Sequence, residues 1–155
     1  MLLVDRAGRL LLFRFFNDHA RPHLGSCWIT PGGGVHDGEP LAVAAARELG
    51  EETGLVVAPE TLGRTIAETA GYADFGWGAG VFRDDFFFHR VDRHDVDTSR
   101  LESLERGNMI GYRWWTVGEL AATSQPVYPL GLAALLADLL AGRIPRQPVR
   151  LPWHH

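Results

Sequence analysis

Residues 32–55, GGGVHDGEPLAVAAARELGEETGL, limit the fold of this chain more than any other stretch: a glycine triplet leads through a short loop into an Ala-rich segment that ends in a crowd of glutamates. Residues 40–53 are expected to form a helix of about 14 residues, with Pro40 suited to a first-turn position and Gly54 to the C-cap. Ala42, Ala46, Leu49 and Thr53 fall on one helical stripe, so this small-residue face can lie close against a sheet. Glu48, Glu51 and Glu52 stand at i, i+3 and i+4 on a different face, where their carboxylates converge within one turn and repel one another. They also crowd the helix end whose dipole is already negative, at a cost of roughly a few tenths of a kcal/mol each.

A run of glutamates is ordinarily a solvated acidic face. Two features favour a ligand here: the acids occupy the end of the helix that disfavours them, and Gly32, Gly33 and Gly34 can bring backbone and carbonyl oxygens close to a bound group. Clustered hard oxygen ligands suit Mg²⁺ or Mn²⁺, which usually keep waters and bind substrate phosphates as well. A divalent cation is therefore the positive charge this site calls for.

The remaining pattern supplies the layers for such a helix. Residues 2–4 and 9–16 are apolar runs split by the turn-like Asp5-Arg6-Ala7-Gly8, and they read as strands; residues 17–27 read as irregular and 28–34 as a loop. Further strands are expected at 55–58, 62–70, 79–91 and 109–115, with helices near 117–122 and 129–141 and a Pro-rich tail. Strands mixed with two or three helices imply an α/β or α+β layered domain.

Composition narrows the partners. At 155 residues, with 46% hydrophobic and 22% charged side chains, the chain is expected to be one domain over 1–145 with a C-terminal tail over 146–155. A net charge of −4 argues against general nucleic-acid or membrane-surface binding, which relies on basic patches. Cys27 is the single cysteine, so no internal disulfide can form and a cytoplasmic location is the default expectation. The N-terminal run is broken by Asp5, Arg6, Arg9 and Arg14 and reads as neither a signal peptide nor a spanning helix.

From Gly33 to Leu55 the sequence resembles the Nudix box: a glycine, five residues, a glutamate, seven residues, then Arg-Glu-aliphatic-any-Glu-Glu-any-Gly-aliphatic. Gly33, Glu39, Arg47, Glu48, Leu49, Glu51, Glu52, Gly54 and Leu55 fill that pattern. The approach through Trp28 to Pro31 and the strand Arg113-Trp114-Trp115 followed by Glu119-Leu120 are also similar to this MutT-like hydrolase family. The resemblance implies an α/β/α sandwich, a mixed β-sheet between helices, with the box as a loop-helix-loop.

It further implies Mg²⁺- or Mn²⁺-dependent hydrolysis of a phosphoanhydride in a nucleoside diphosphate linked to another moiety: a nucleoside triphosphate, a nucleotide sugar or a dinucleotide. Carried over by position, Glu48, Glu51 and Glu52 are the metal ligands and catalytic acids, with a carbonyl from Gly32 or Gly33 completing the shell. Glu39, Arg47 and Gly54 support the box, the arginine orienting a glutamate and offsetting repulsion among the acids.

Outside the box, Glu105 is the first candidate for a general base or extra ligand and Glu102 the second, each otherwise a plain loop glutamate; Glu51 or Glu52 could itself be the base. Tyr72, Phe75 and Trp77 could stack on a nucleobase or be buried in a core or dimer contact, and Tyr72 lies at a spacing similar to that in diadenosine-polyphosphate hydrolases. Arg113, with Arg14 and Arg83, is a candidate phosphate contact. The expected partner is a small nucleotide, with no nucleic acid and no membrane; many relatives dimerise, so a homodimer is open. The rival readings are a Nudix-fold sensor that binds a nucleotide derivative without cleaving it, and a structural Ca²⁺ or Mg²⁺ site in a non-enzymatic domain. Retention of every box glutamate argues against the first, and retention of Arg47 with the Glu39 spacing against the second.

Overall fold

The structure, a computed structural model, describes residues 1–18, 20–74, 78–101 and 107–153. Its centre is a mixed sheet in the order β6-β1-β2-β3-β8, with β7 also paired to β2. These strands are β1 (Leu2–Val4), β2 (Leu10–Phe16), β3 (Ser26–Ile29), β6 (Phe88–Arg90), β7 (Met109–Trp115) and β8 (Val127–Tyr128). β4 (Ala67–Asp74) and β5 (Ala79–Phe86) form an antiparallel ribbon, to which β9 (Val149–Arg150) adds in parallel. Among the described residues the helices seen over their full length are α1 (Leu41–Thr53), α2 (Val117–Ala122) and α3 (Leu132–Leu140), and residues 107–108 are also helical.

Side-chain alternation along β1 and β2 builds the layers. Leu3, Leu11, Phe13 and Phe15 point to one face and pack with Leu49 and the alanines of α1, while Leu2, Val4, Leu10 and Leu12 point to the other and pack with Leu120 of α2 and the leucines of α3. A strand covered on both sides reads as a continuous apolar run, as Leu10 to Phe13 do. Leu132, Leu135, Leu136 and Leu139 repeat at helical spacing and are all buried. Each such leucine contributes about 1.5–3 kcal/mol through burial. The result is the expected α/β/α arrangement, a mixed sheet between helices.

The helices and the strands at 2–4, 10–16 and 109–115 lie where the pattern put them, and Thr116 and Glu119 add a reciprocal capping box to α2. Elsewhere the structure corrects the sequence reading. No strand forms at 55–58. The strand expected at 62–70 runs from 67 to 74, because 59–62 make a 3-10 turn. The run 79–91 is two strands, β5 and β6, which join different sheets. Trp28 and Ile29, read as loop, belong with Ser26 and Cys27 to β3, whose backbone is recruited by Phe13 to Phe16 of β2. The Pro-rich tail contributes β9: Val149 N–H bonds Ile66 C=O, and Leu151 N–H bonds Glu68 C=O. Among the described residues no helix is long and apolar enough to cross a membrane.

Candidate active site

α1 buries two stripes. Leu49 and Thr53 are wholly buried against the sheet, and Glu48 and Glu52, also at i and i+4, are only 8% and 3% exposed. Two carboxylates this buried must be paired or hydrogen-bonded. Glu52 accepts the Gly32 N–H at 2.6 Å, and Glu48 accepts Arg47 Nη1 at 2.8 Å. Glu51, one turn from Glu48 on the more exposed side, accepts from the same Nη1 at 3.1 Å.

Arg47 is the centre of this network. Nε and Nη2 donate to the two oxygens of Glu39, both at 3.0 Å, and Nη2 also donates to the Gly34 carbonyl at 2.8 Å. Together with the two Nη1 bonds these use all five N–H donors of the guanidinium. Arg47, aided by the His36 N–H, holds the Glu39 carboxyl down to about 2, and the acids raise the Arg47 pKa in return. Gly54 closes the helix in the left-handed region at φ 73°, its N–H bonded to Gly50 C=O, and a Cβ there would come within 2.9 Å of Asp97 Cβ.

Gly33 lies so near Glu48 that a Cβ would stand 2.6 Å from its carboxylate carbon and both oxygens. The Met1 amino group donates to the Pro31 carbonyl at 2.5 Å; burial lowers its pKa from 8.0 to about 6, against the pull of Glu52, Asp84 and Glu48. Asp84 on β5 is held by the Thr69 hydroxyl at 2.9 Å, and neighbouring Arg83 bridges Glu68 and Asp85. These groups border a cleft of about 1260 Å³ that Gly32, Gly33, Gly34, Glu48, Glu52 and Asp84 help to line. A second groove of about 670 Å³, beside Asp5, Arg6, Arg93 and Trp114, is lined by none of the box glutamates.

Among the described residues no three Asp, Glu, His or Cys side chains are grouped as a finished cation cage. Arg47 draws Glu48 and Glu51 to itself, and Gly32 holds Glu52. The donor set nonetheless fits a hard divalent ion: every side-chain donor is a carboxylate, and the missing Cβ of Gly33 leaves the backbone next to one of them.

Of the other sequence candidates among the described residues Arg83 lines the cleft, whereas Arg14, Tyr72 and Arg113 do not. Tyr72 is on β4, is 65% exposed and does not line the cleft. Arg113 pairs with Glu119 and lies over the Trp115 ring, 4.5 Å from its centroid, likewise outside the cleft. Glu105, Glu102, Phe75 and Trp77 lie outside the described residues. Sequence reasoning passed over Asp84 and Asn108, both of which line the cleft. Neither belongs to a spacing pattern, and only strand pairing brings them to the box.

Known proteins match this arrangement. An RNA pyrophosphohydrolase of Novosphingobium aromaticivorans is 41% identical over 69 residues, 44% of this chain; the aligned part spans only 38% of that relative's length. The E. coli dihydroneopterin triphosphate pyrophosphohydrolase superposes with a TM-score of 0.64 at 16% identity, covering 91% of this chain and 92% of the other. The MutT protein of Methanosarcina mazei Go1 superposes with a TM-score of 0.58 at 19% identity, covering 91% and 89%. At these identities the superpositions speak to the fold. Residues 1–135 match the family model described as NUDIX domain, and with the complete box on α1 and its flanking loop the chain belongs to that family.

Proposed function

We propose that this chain is a Mg²⁺- or Mn²⁺-dependent pyrophosphohydrolase that cleaves a phosphoanhydride in a nucleoside diphosphate derivative. The observation that carries this reading is the burial of Glu48 and Glu52 side by side at the cleft, with Arg47 bound to Glu39, Glu48 and Glu51 beside them. A structural helix end has no reason to desolvate two like charges.

Glu48, Glu51 and Glu52, with a carbonyl of the Gly32-Gly33 loop, would hold the cation. When bound, it neutralises diphosphate oxygens and lowers the pKa of a coordinated water. Arg47 fixes Glu48 and Glu51, the Gly32 N–H fixes Glu52 and Glu39 fixes Arg47, so the acids are oriented before substrate arrives. Glu51 is the most accessible of the three but does not line the cleft, whereas Glu48 and Glu52 do, so a box glutamate that takes the proton from water is Glu52 or, after release of its arginine contact, Glu51.

The test is release of phosphate or nucleotide from nucleoside triphosphates, nucleotide sugars, ADP-ribose, diadenosine polyphosphates and 5′-triphosphorylated RNA, with Mg²⁺, Mn²⁺ or EDTA. RNA enters the panel because a relative is named for it. Cation-dependent cleavage that Glu52→Gln lowers by at least about a hundredfold supports the reading. Tight nucleotide binding without cleavage would replace it with the sensor alternative.

A further inference from the structure

Two buried side-chain polar atoms of the described residues have no hydrogen-bond partner: Trp115 Nε1 and Asn108 Oδ1. The first lies in the core, its ring edge-on to Trp28. The second belongs to a residue that lines the cleft. A buried acceptor without a donor destabilises the fold, so a native chain that keeps one at a ligand cleft has a reason for it.

The backbone shows how Asn108 reaches that position. β7 pairs with β2 in regular register from Trp115 to Gly111, then slips: Arg14 faces Gly111, but Phe15 faces Met109. The extra residue, Ile110, makes a bulge, a device that re-aims the side chains beyond it. Asn108 follows directly and comes to the end of β2 that carries Phe15 and Phe16, both of which line the cleft together with Ile29 and Tyr128. The cleft therefore combines buried carboxylates, an apolar aromatic wall and a lining asparagine whose buried carboxamide oxygen has no partner.

We propose that Asn108 reads the nucleobase of the substrate, its Oδ1 accepting an N–H from the base edge and its Nδ2 donating to the neighbouring acceptor. A carboxamide offers one acceptor next to one donor face, and adenine's exocyclic amine beside a ring nitrogen is the complementary pair. Phe15, Phe16 and Tyr128 supply the apolar surface on which a flat ring is desolvated. This assignment rests on the reading of the cleft as a nucleotide site, and it adds a specificity residue outside the box.

The experiment compares wild type with Asn108→Leu, which removes the acceptor and keeps the branching at Cγ, and Asn108→Asp, which keeps the shape but can only accept. Binding of AMP, GMP, CMP and UMP is measured by calorimetry in EDTA. In Mg²⁺, kcat and KM are measured for nucleoside triphosphates and for inorganic tripolyphosphate, which has no base. Asn108→Leu should weaken monophosphate binding and lower the nucleotide-to-tripolyphosphate ratio of kcat/KM by roughly tenfold to a hundredfold, through KM. Its melting temperature should be equal or higher. Asn108→Asp should shift preference from adenine toward guanine, whose edge offers two adjacent N–H groups.

Unchanged binding and ratio in both variants overturn the assignment, as does an equal loss on both substrate types. Wild type that neither binds monophosphates nor cleaves triphosphates overturns it together with the hydrolase reading. Asn108-dependent binding without cleavage keeps the base subsite and removes only the hydrolase.

Discussion

Arg47 meets Glu39 side-on across the box, Nε and Nη2 donating to the two carboxylate oxygens at 3.0 Å each. Because that pair fixes the plane of the guanidinium, the remaining N–H groups are directed at Glu48, Glu51 and the Gly34 carbonyl. One arginine thus joins the loop to the helix and separates two repelling acids. A lysine, with three donors on a single nitrogen, cannot serve these acceptors in one plane. Arg47→Lys is therefore expected to cost about 1.5–3 kcal/mol in urea unfolding and to lower turnover roughly tenfold to a hundredfold. Wild-type stability and turnover in this variant would remove the network from the mechanism.

The same pair has a pH signature. Glu39 titrates in the folded state near 2, below its usual 4.5, because Arg47 and the His36 N–H favour the anion. A depressed carboxyl pKa stabilises the fold fully above the unfolded value, and that stabilisation is lost as pH falls toward about 2. The box loop should therefore stay latched at pH 3.5, where an ordinary glutamate is mostly protonated. Carbon-detected NMR of the Glu39 carboxyl should place its midpoint near 2 in wild type and back toward 4.5 in Arg47→Met. A wild-type midpoint in the ordinary range would contradict the geometry.

Gly33 and Gly34 are neighbours with opposite expectations. A Cβ on Gly33 would stand 2.6 Å from the Glu48 carboxylate, whereas one on Gly34 meets nothing within 4 Å. Neither has a positive φ, so backbone strain enters for neither. Gly33→Ala should displace the Glu48 carboxylate, lowering turnover about tenfold or more and weakening cation affinity, with a melting temperature close to wild type. Gly34→Ala should retain near-wild-type turnover. Equal effects in the two variants would mean that proximity to Glu48 is not what Gly33 provides.

The box and its helix were readable because each of their determinants is local. Pro40 before α1, the αL Gly54 after it and the helical spacing of Leu49, Thr53 and the glutamates all lie within one short segment. β3 was not readable: Ser26 and Cys27 carry little strand signal, and their pairing with Phe15 and Phe16 is set by the neighbouring strand. The break between β5 and β6 was hidden for a related reason, since Phe86, Phe87 and Phe88 give one aromatic run although the flanking strands join different sheets. Asn108 escaped notice because its significance comes from a bulge and from the lack of a partner, neither of which has a sequence signature. For Arg47 the sequence supplied the neighbours, but the full use of its five donors emerged only from the folded geometry.

The C-terminal segment docks through a contact that leaves no room for a side chain. A Cβ on Gly71 would lie 2.2–2.6 Å from Cδ1, Cγ and Nε1 of Trp153, whose indole N–H donates to the Tyr72 carbonyl at 3.0 Å. Trp153 also lines the cleft, so this contact joins the ribbon β4–β5 to the wall of the site. An aromatic ring cannot bend away as a flexible chain end can; Gly71→Ala must therefore push the segment beyond β9 off the ribbon. The expected loss is about 1–2 kcal/mol, the share of a half-buried tryptophan, with a comparable loss in Trp153→Ala. Since both variants remove one contact, the double mutant should be little worse than either single one. Fully additive losses in urea unfolding would show that Gly71 and Trp153 act independently and that the docking has another origin.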